Sequence, residues 1–103
     1  MVYSRSLCAY VYILCSAKNG TLYIGVTKDL IARLEEHRSH ADPKSFTSRY
    51  NVTRLVYFER YDRITEAIDR EKQLKKWKRT WKIALIEQHK PDWRSLRLDA
   101  LDL

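Results

Sequence analysis

The sequence predicts an α/β chain of the α+β kind: one small three-stranded, mostly antiparallel sheet, in the order β-β-α-β-α-α, with helices flanking it. Three observations predict it. Residues 9–16 (AYVYILCS) and 21–26 (TLYIGV) carry the period of two of a strand on either side of Asn19-Gly20, a strong hairpin signal. Residues 54–61 (RLVYFERY) have the β-branched and aromatic content of a third strand. Apolar residues at helical spacing fill the segments between and after the strands.

Each element has its own justification. A two-residue type I′ turn at Asn19-Gly20 sets position i opposite 39 − i. That register puts Val11, Ile13, Cys15, Leu22, Ile24 and Val26 on one face, the expected core, and Tyr10, Tyr12, Leu14, Tyr23 and Gly25 on the other. Thr27 caps a helix from Lys28 to about Ser39, with Leu30, Ile31 and Leu34 on its apolar side and Arg33 and His37 along one edge of that stripe. A polar linker with Pro43 runs to Ser48, and the third strand follows. The next helix starts at Asp62 or Thr65 and runs to about Lys78 on Ile64, Ala67, Ile68, Leu74 and Trp77; the last, Thr80 to about Gln88, ends before Pro91. Glu71 falls inside the apolar arc of its helix. A carboxylate there requires a cation, and the wheel leaves a structural pair with Lys75 and a functional acid equally open.

Composition bounds the function. The 103 residues make one domain, 1–103, with its core at about 8–95, and 45% apolar content with 2 Gly and 2 Pro argues against disorder. No apolar run reaches the ~20 residues of a membrane span. Cys8 and Cys15 are too few for a disulfide framework, and because the apolar stretch Leu7 to Ala17 has only Arg5 as a charged flank and alternates Tyr10 and Tyr12 within it, the expected location is the cytoplasm. His37 and His40 form an HxxH pair with no third ligand nearby, which argues against zinc. The net charge is +7, and six cations, Lys72, Lys75, Lys76, Lys78, Arg79 and Lys82, occupy eleven residues without one acid. Such a cluster attracts phosphate backbones. Trp77 and Trp81, interleaved with it at helical spacing, read as core residues.

Read together, these residues resemble the GIY-YIG nuclease domain, in particular its small single-domain bacterial members. Tyr10-Val11-Tyr12 stands at the first tripeptide and Tyr23-Ile24-Gly25 matches the second in full. Arg33 and His37 follow in LIARLEEH, and Glu71 lies in AIDREKQLKKWKRTWK. The resemblance covers residues 8–95. Two departures stand out: Tyr10 replaces the first glycine, and Val26 stands where excision-repair relatives carry lysine.

The resemblance implies a divalent-metal-dependent endonuclease that hydrolyses phosphodiesters in DNA, branched or damaged DNA included, with RNA the lesser alternative. Tyr12, Tyr23, Arg33, His37 and Glu71 would be catalytic. Glu71 would hold one Mg²⁺ or Mn²⁺, Arg33 would brace phosphoryl charge, and Tyr12 would orient or deprotonate water with help from His37 and Tyr23. Gly25 would leave room for substrate backbone, and the six cations from Lys72 to Lys82 would track the phosphates. In the assumed register Tyr12 faces Thr27 and Tyr23 faces Ser16, about 13 Å apart. A non-catalytic nucleic-acid-binding module and a protein-docking domain are the other readings. The expected state is a monomer or weak dimer, with a protein partner for targeting left open.

Overall fold

The computed structural model describes residues 8–96. Among them, β1 (Ala9–Cys15), β2 (Leu22–Thr27) and β3 (Arg54–Tyr61) form one sheet in the order β2-β1-β3; α1 (Leu30–Arg38), α2 (Phe46–Arg49), α3 (Ile64–Lys76) and α4 (Arg79–His89) complete the fold. β1 pairs antiparallel with both neighbours, so the sheet is antiparallel throughout.

Every residue of the central strand β1 is buried. On one face Val11, Ile13, Cys15 and Ile24 pack with Ala67 and Leu74 of α3, Ile86 of α4 and Trp93. On the other, Tyr10, Tyr12 and Leu14 pack with Leu30 and Leu34 of α1 and with Val52 and Leu55. Alternation pointed to one core face, whereas both faces are covered. A strand paired on both edges and roofed on both sides has no solvent side for its tyrosines. The nine-residue α1 is too short to persist alone, and burying Leu30 and Leu34 stabilises its docked form by about 1.5–3 kcal/mol each.

The hairpin departs from the expected register. Tyr12 pairs with Gly25 and Tyr23 with Leu14, so i faces 37 − i rather than 39 − i. The two-residue type I′ turn is not formed: Asn19 has φ 58°, but Gly20 does not take positive φ. Instead, Ser16 N–H donates to the Thr21 carbonyl at 3.1 Å, and Gly20 N–H donates to the Ala17 carbonyl at 2.8 Å. The Ser16 hydroxyl accepts from Thr21 N–H at 3.0 Å and lies where a Cβ on Gly20 would stand, 2.4 Å away. Arg79, at the start of α4, fastens the turn by donating to the carbonyls of Asn19 and Gly20 at 2.8 and 2.6 Å.

Helix ends also moved. Asp29, not Thr27, caps α1: its Oδ1 accepts from Ala32 N–H at 3.1 Å, and a carboxylate is the stronger acceptor there. Thr27 instead accepts from Asp29 N–H. The supposed linker contains α2, capped by the Ser45 hydroxyl on Ser48 N–H. Trp77 packs half-buried against the core with the Arg70 guanidinium 5.1 Å from its ring centroid, but Trp81 is 53% exposed, contrary to the expectation for it. The fully buried tryptophan is Trp93, whose Nε1 donates to Glu87 at 2.8 Å; its position beyond a helix carries no periodic signal.

On the α3 side of the sheet, Glu59 sits at the centre of a polar cluster. Arg70 donates to both of its oxygens, at 2.9 and 3.0 Å, and the hydroxyls of Tyr57 and Tyr61 donate to it as well. Burial pushes the Glu59 carboxyl up, but these donors outweigh it and hold it below its ordinary range.

Candidate active site

The edge strand β2, the C-terminal half of α1 and the short α2 meet around the tyrosines. Register places Tyr12 directly across from Gly25, and its ring lies over that glycine: a Cβ on Gly25 would stand 2.6 Å from both Cζ and the hydroxyl of Tyr12. The space expected to admit substrate backbone at Gly25 is therefore filled by Tyr12, and Gly25 is buried. Tyr23, diagonal to Tyr12 on the same face, brings its ring centroid within 6.2 Å. The shift by two residues removes the 13 Å separation that the turn assumption imposed.

One helical turn after Arg33, His37 reaches back over the sheet. Its Nε2 lies 3.0 Å from the Tyr12 hydroxyl, and its Nδ1 lies 2.9 Å from Oγ1 of the buried Thr47. Burial, then the Arg33 charge, pulls the His37 pKa below its ordinary value, so the ring is neutral at pH 7. With the ring proton on Nδ1, Tyr12 donates to Nε2 and Nδ1–H donates to Thr47. Burial and the neighbouring Tyr23 phenol push the Tyr12 pKa far above that of a free phenol, so Tyr12 holds its proton. Its ring has no exposed surface. The half-exposed Tyr23 and His37 face solvent instead, lining a depression of about 330 Å³ together with Arg33, Ser45, Phe46 and Thr47.

Arg33 stands at the rim, 43% exposed and bridged to Glu36 at 3.3 Å. Glu71 points inward as its wheel position implied, its side chain 17% exposed, and pairs with Lys75 at 3.4 Å. It is not among the residues lining the Tyr23–His37 depression, but Lys75 lines the next one, of about 290 Å³, with Tyr23, Phe46 and Lys82. No group of three His, Cys, Asp or Glu side chains able to cage a metal occurs among the described residues. A single carboxylate does suit a hydrated Mg²⁺ or Mn²⁺ held jointly with substrate phosphate, provided Lys75 moves aside.

The basic segment divides. Lys72, Lys75, Lys76 and Lys78 are exposed, with Lys78 5.7 Å from the Trp81 ring centroid. Arg79 is committed to the hairpin turn, and Lys82 is half-buried with Nζ 3.4 Å from the Lys75 carbonyl at the end of α3. Sequence reasoning missed Thr47, Phe46 and Tyr50. The available signal was a serine cap at Ser45 followed by aromatics four residues apart, which makes one turn of helix with both rings on one side.

A three-stranded antiparallel sheet with paired tyrosines on one face, a helical Arg and His above them and an acidic helix beside the edge strand is the arrangement of a GIY-YIG catalytic domain. Residues 8–84 match that family, and the chain belongs to it. Its relatives include the UPF0213 protein of Syntrophus aciditrophicus, 41% identical over 81 residues that span 78% of this chain and 91% of that one. The UPF0213 protein of Staphylococcus aureus strain Mu3 is 39% identical over 80 residues, covering 77% and 94%. The solution NMR structure of a UPF0213 protein from Bacillus halodurans superposes with a TM-score of 0.51 at 30% identity, covering 82% of this chain and 88% of that one. No helix among the described residues is long and apolar enough to cross a membrane.

Proposed function

We propose that the protein is an endonuclease that hydrolyses phosphodiester bonds in DNA, using one divalent metal ion. The observation that carries this reading is the hydrogen-bonded chain Tyr12–His37–Thr47 behind Tyr23, opening into a depression rimmed by Arg33. Tyr23 positions the attacking water. Its proton passes through the hydroxyls of Tyr23 and Tyr12 to Nε2 of the neutral His37, each phenol releasing one proton as it takes one. Tyr12 does not become a stored phenolate, which its raised pKa forbids. Thr47 keeps the proton on Nδ1 so that the Nε2 lone pair faces Tyr12. Arg33 leaves Glu36 to neutralise charge developing on the phosphoryl oxygens.

Glu71 would hold Mg²⁺ or Mn²⁺, which polarises the phosphate and stabilises the departing oxygen. The exposed lysines at 72, 75, 76 and 78 draw in the phosphate backbone through counterion release. The test is cleavage of supercoiled plasmid, branched DNA and structured RNA with Mg²⁺ or Mn²⁺ by the wild-type protein and by Glu71→Ala, His37→Ala and Tyr12→Phe. Loss of cleavage in all three variants with unchanged affinity supports the mechanism. Equal cleavage by every protein identifies a contaminant, and binding without cleavage leaves a non-catalytic nucleic-acid module.

A further inference from the structure

The helix α2 is only four residues long and buries a single side chain, Thr47, yet it and its C-cap residue, Tyr50, carry two large aromatic rings into solvent. Phe46 is 45% exposed and Tyr50 53%. The rings are not scattered. Tyr23 and Phe46 stack at 28° with centroids 6.2 Å apart, Phe46 and Tyr50 follow at 4.9 Å, and the Arg49 guanidinium lies 6.0 Å from the Tyr50 centroid. The row therefore begins at a residue that lines the candidate active site and runs outward from it. Phe46 and Tyr23 also form the wall between the two depressions, with Arg33 on one side and Lys75 and Lys82 on the other. Such a wall has cations on both sides and apolar ring faces between them.

That combination suits a nucleotide strand whose phosphates meet the cations and whose bases meet the rings. The faces of bases inside an intact duplex are covered by their neighbours, so a duplex leaves the platform unused. We infer that Phe46 and Tyr50 form a stacking site for unpaired bases next to the cleaved phosphate, which makes the substrate class single-stranded or locally unpaired nucleic acid. The inference rests on the proposed nuclease function for its location beside the scissile bond. The stacking itself does not depend on catalysis.

The experiment separates the two. Binding of fluorescent oligothymidylate, oligouridylate and a duplex, each of about 20 nucleotides per strand, is measured by anisotropy in EDTA at fixed salt, with the full chain. The wild-type protein is expected to bind single strands more tightly than duplex. Phe46→Ala and Tyr50→Ala are each expected to weaken single-strand binding by about 5- to 150-fold, the range for losing one base stack, while duplex affinity stays within about twofold. Phe46→Tyr should retain the preference. Because Phe46 also touches Tyr23, the more distant Tyr50 keeps the test independent of any disturbance at the site, and the two oligonucleotides report whether DNA or RNA is preferred. Equal affinity for duplex and single strand, or losses in the alanine variants that are the same for both, overturns the inference; so does the absence of binding to any of the three. A ring-dependent preference without cleavage in Mg²⁺ keeps the stacking site and removes the nuclease, whereas duplex cleavage indifferent to both rings does the reverse.

Discussion

Gly25→Ala separates two explanations of the glycine in the second tripeptide. A methyl group at Gly25 would lie 2.6 Å from Cζ and the hydroxyl of Tyr12, against the 3.4 Å at which ordinary contact begins. The ring must retreat by about 0.8 Å, yet Tyr12 is wholly buried between His37, Leu30-side packing and the sheet. Retreat stretches the 3.0 Å contact with His37, whose net worth is about 0.5–1.5 kcal/mol, and overpacking costs typically about 1–3 kcal/mol. Replacing Gly by Ala in a strand returns about 0.5–1 kcal/mol of backbone entropy. The balance is a loss of about 1–3 kcal/mol, read as a lower urea midpoint at unchanged slope, or a Tm lower by about 4–8 °C per kcal/mol. In a Tyr12→Val background the obstruction is absent, and Gly25→Ala is expected to be neutral or slightly stabilising. If instead the glycine serves only to admit substrate, Gly25→Ala in the otherwise wild-type protein will be as stable as wild type or more so. That result would refute the packing argument.

Three further outcomes are expected. Cleavage should follow the neutral fraction of His37: because burial and Arg33 lower its pKa, activity should hold as pH falls through the ordinary histidine value of 6.5 and decline only below it, and Arg33→Met should move that acid limb upward in a rate-versus-pH profile. Arg70→Met should cost about 1–3 kcal/mol at pH 7 by urea titration, since Glu59 and Arg70 are only 17% and 22% exposed. The folded-state pKa of Glu59 is depressed, so its contribution is complete above the ordinary value of 4.5 and is lost as pH falls; the gap between variant and wild type should therefore narrow toward acid. Arg79→Ala should cost about 0.5–1.5 kcal/mol of stability by releasing the hairpin turn, without changing the salt dependence of DNA binding, whereas Lys72→Ala with Lys76→Ala should reduce the slope of log K against log salt by about 2.

Much of the candidate site was legible because its signals are local. The tyrosines at 12 and 23 share a face by period two, Arg33 and His37 share a helix edge by period 3.6, and Glu71 interrupts an apolar arc. The partners of these residues were harder to see. Thr47 meets His37 only because α2 folds back against α1, and Arg79 looked like its lysine neighbours until the turn carbonyls came within reach. Trp77 and Trp81 have the same spacing pattern but opposite fates, since α4 turns only part of its surface to the sheet.

The sequence by itself determined the order of the three strands and of the three longer helices, the antiparallel hairpin, the two faces of its strands and the identity of the family's signature residues. These depend on side-chain periodicity and on the chemistry of single residues. The tertiary structure decided the register of the hairpin, the burial of Tyr12, the use of Gly25 as a seat for its ring and the chain that ties Tyr12 through His37 to Thr47. The physical reason is a symmetry of the strand. A slip of two residues returns every side chain to its original face, so the hydrophobic pattern is blind to it, and the turn held by Ser16, Gly20 and Arg79 makes the choice. That choice sets whether Tyr12 and Tyr23 are about 13 Å apart or side by side beneath His37.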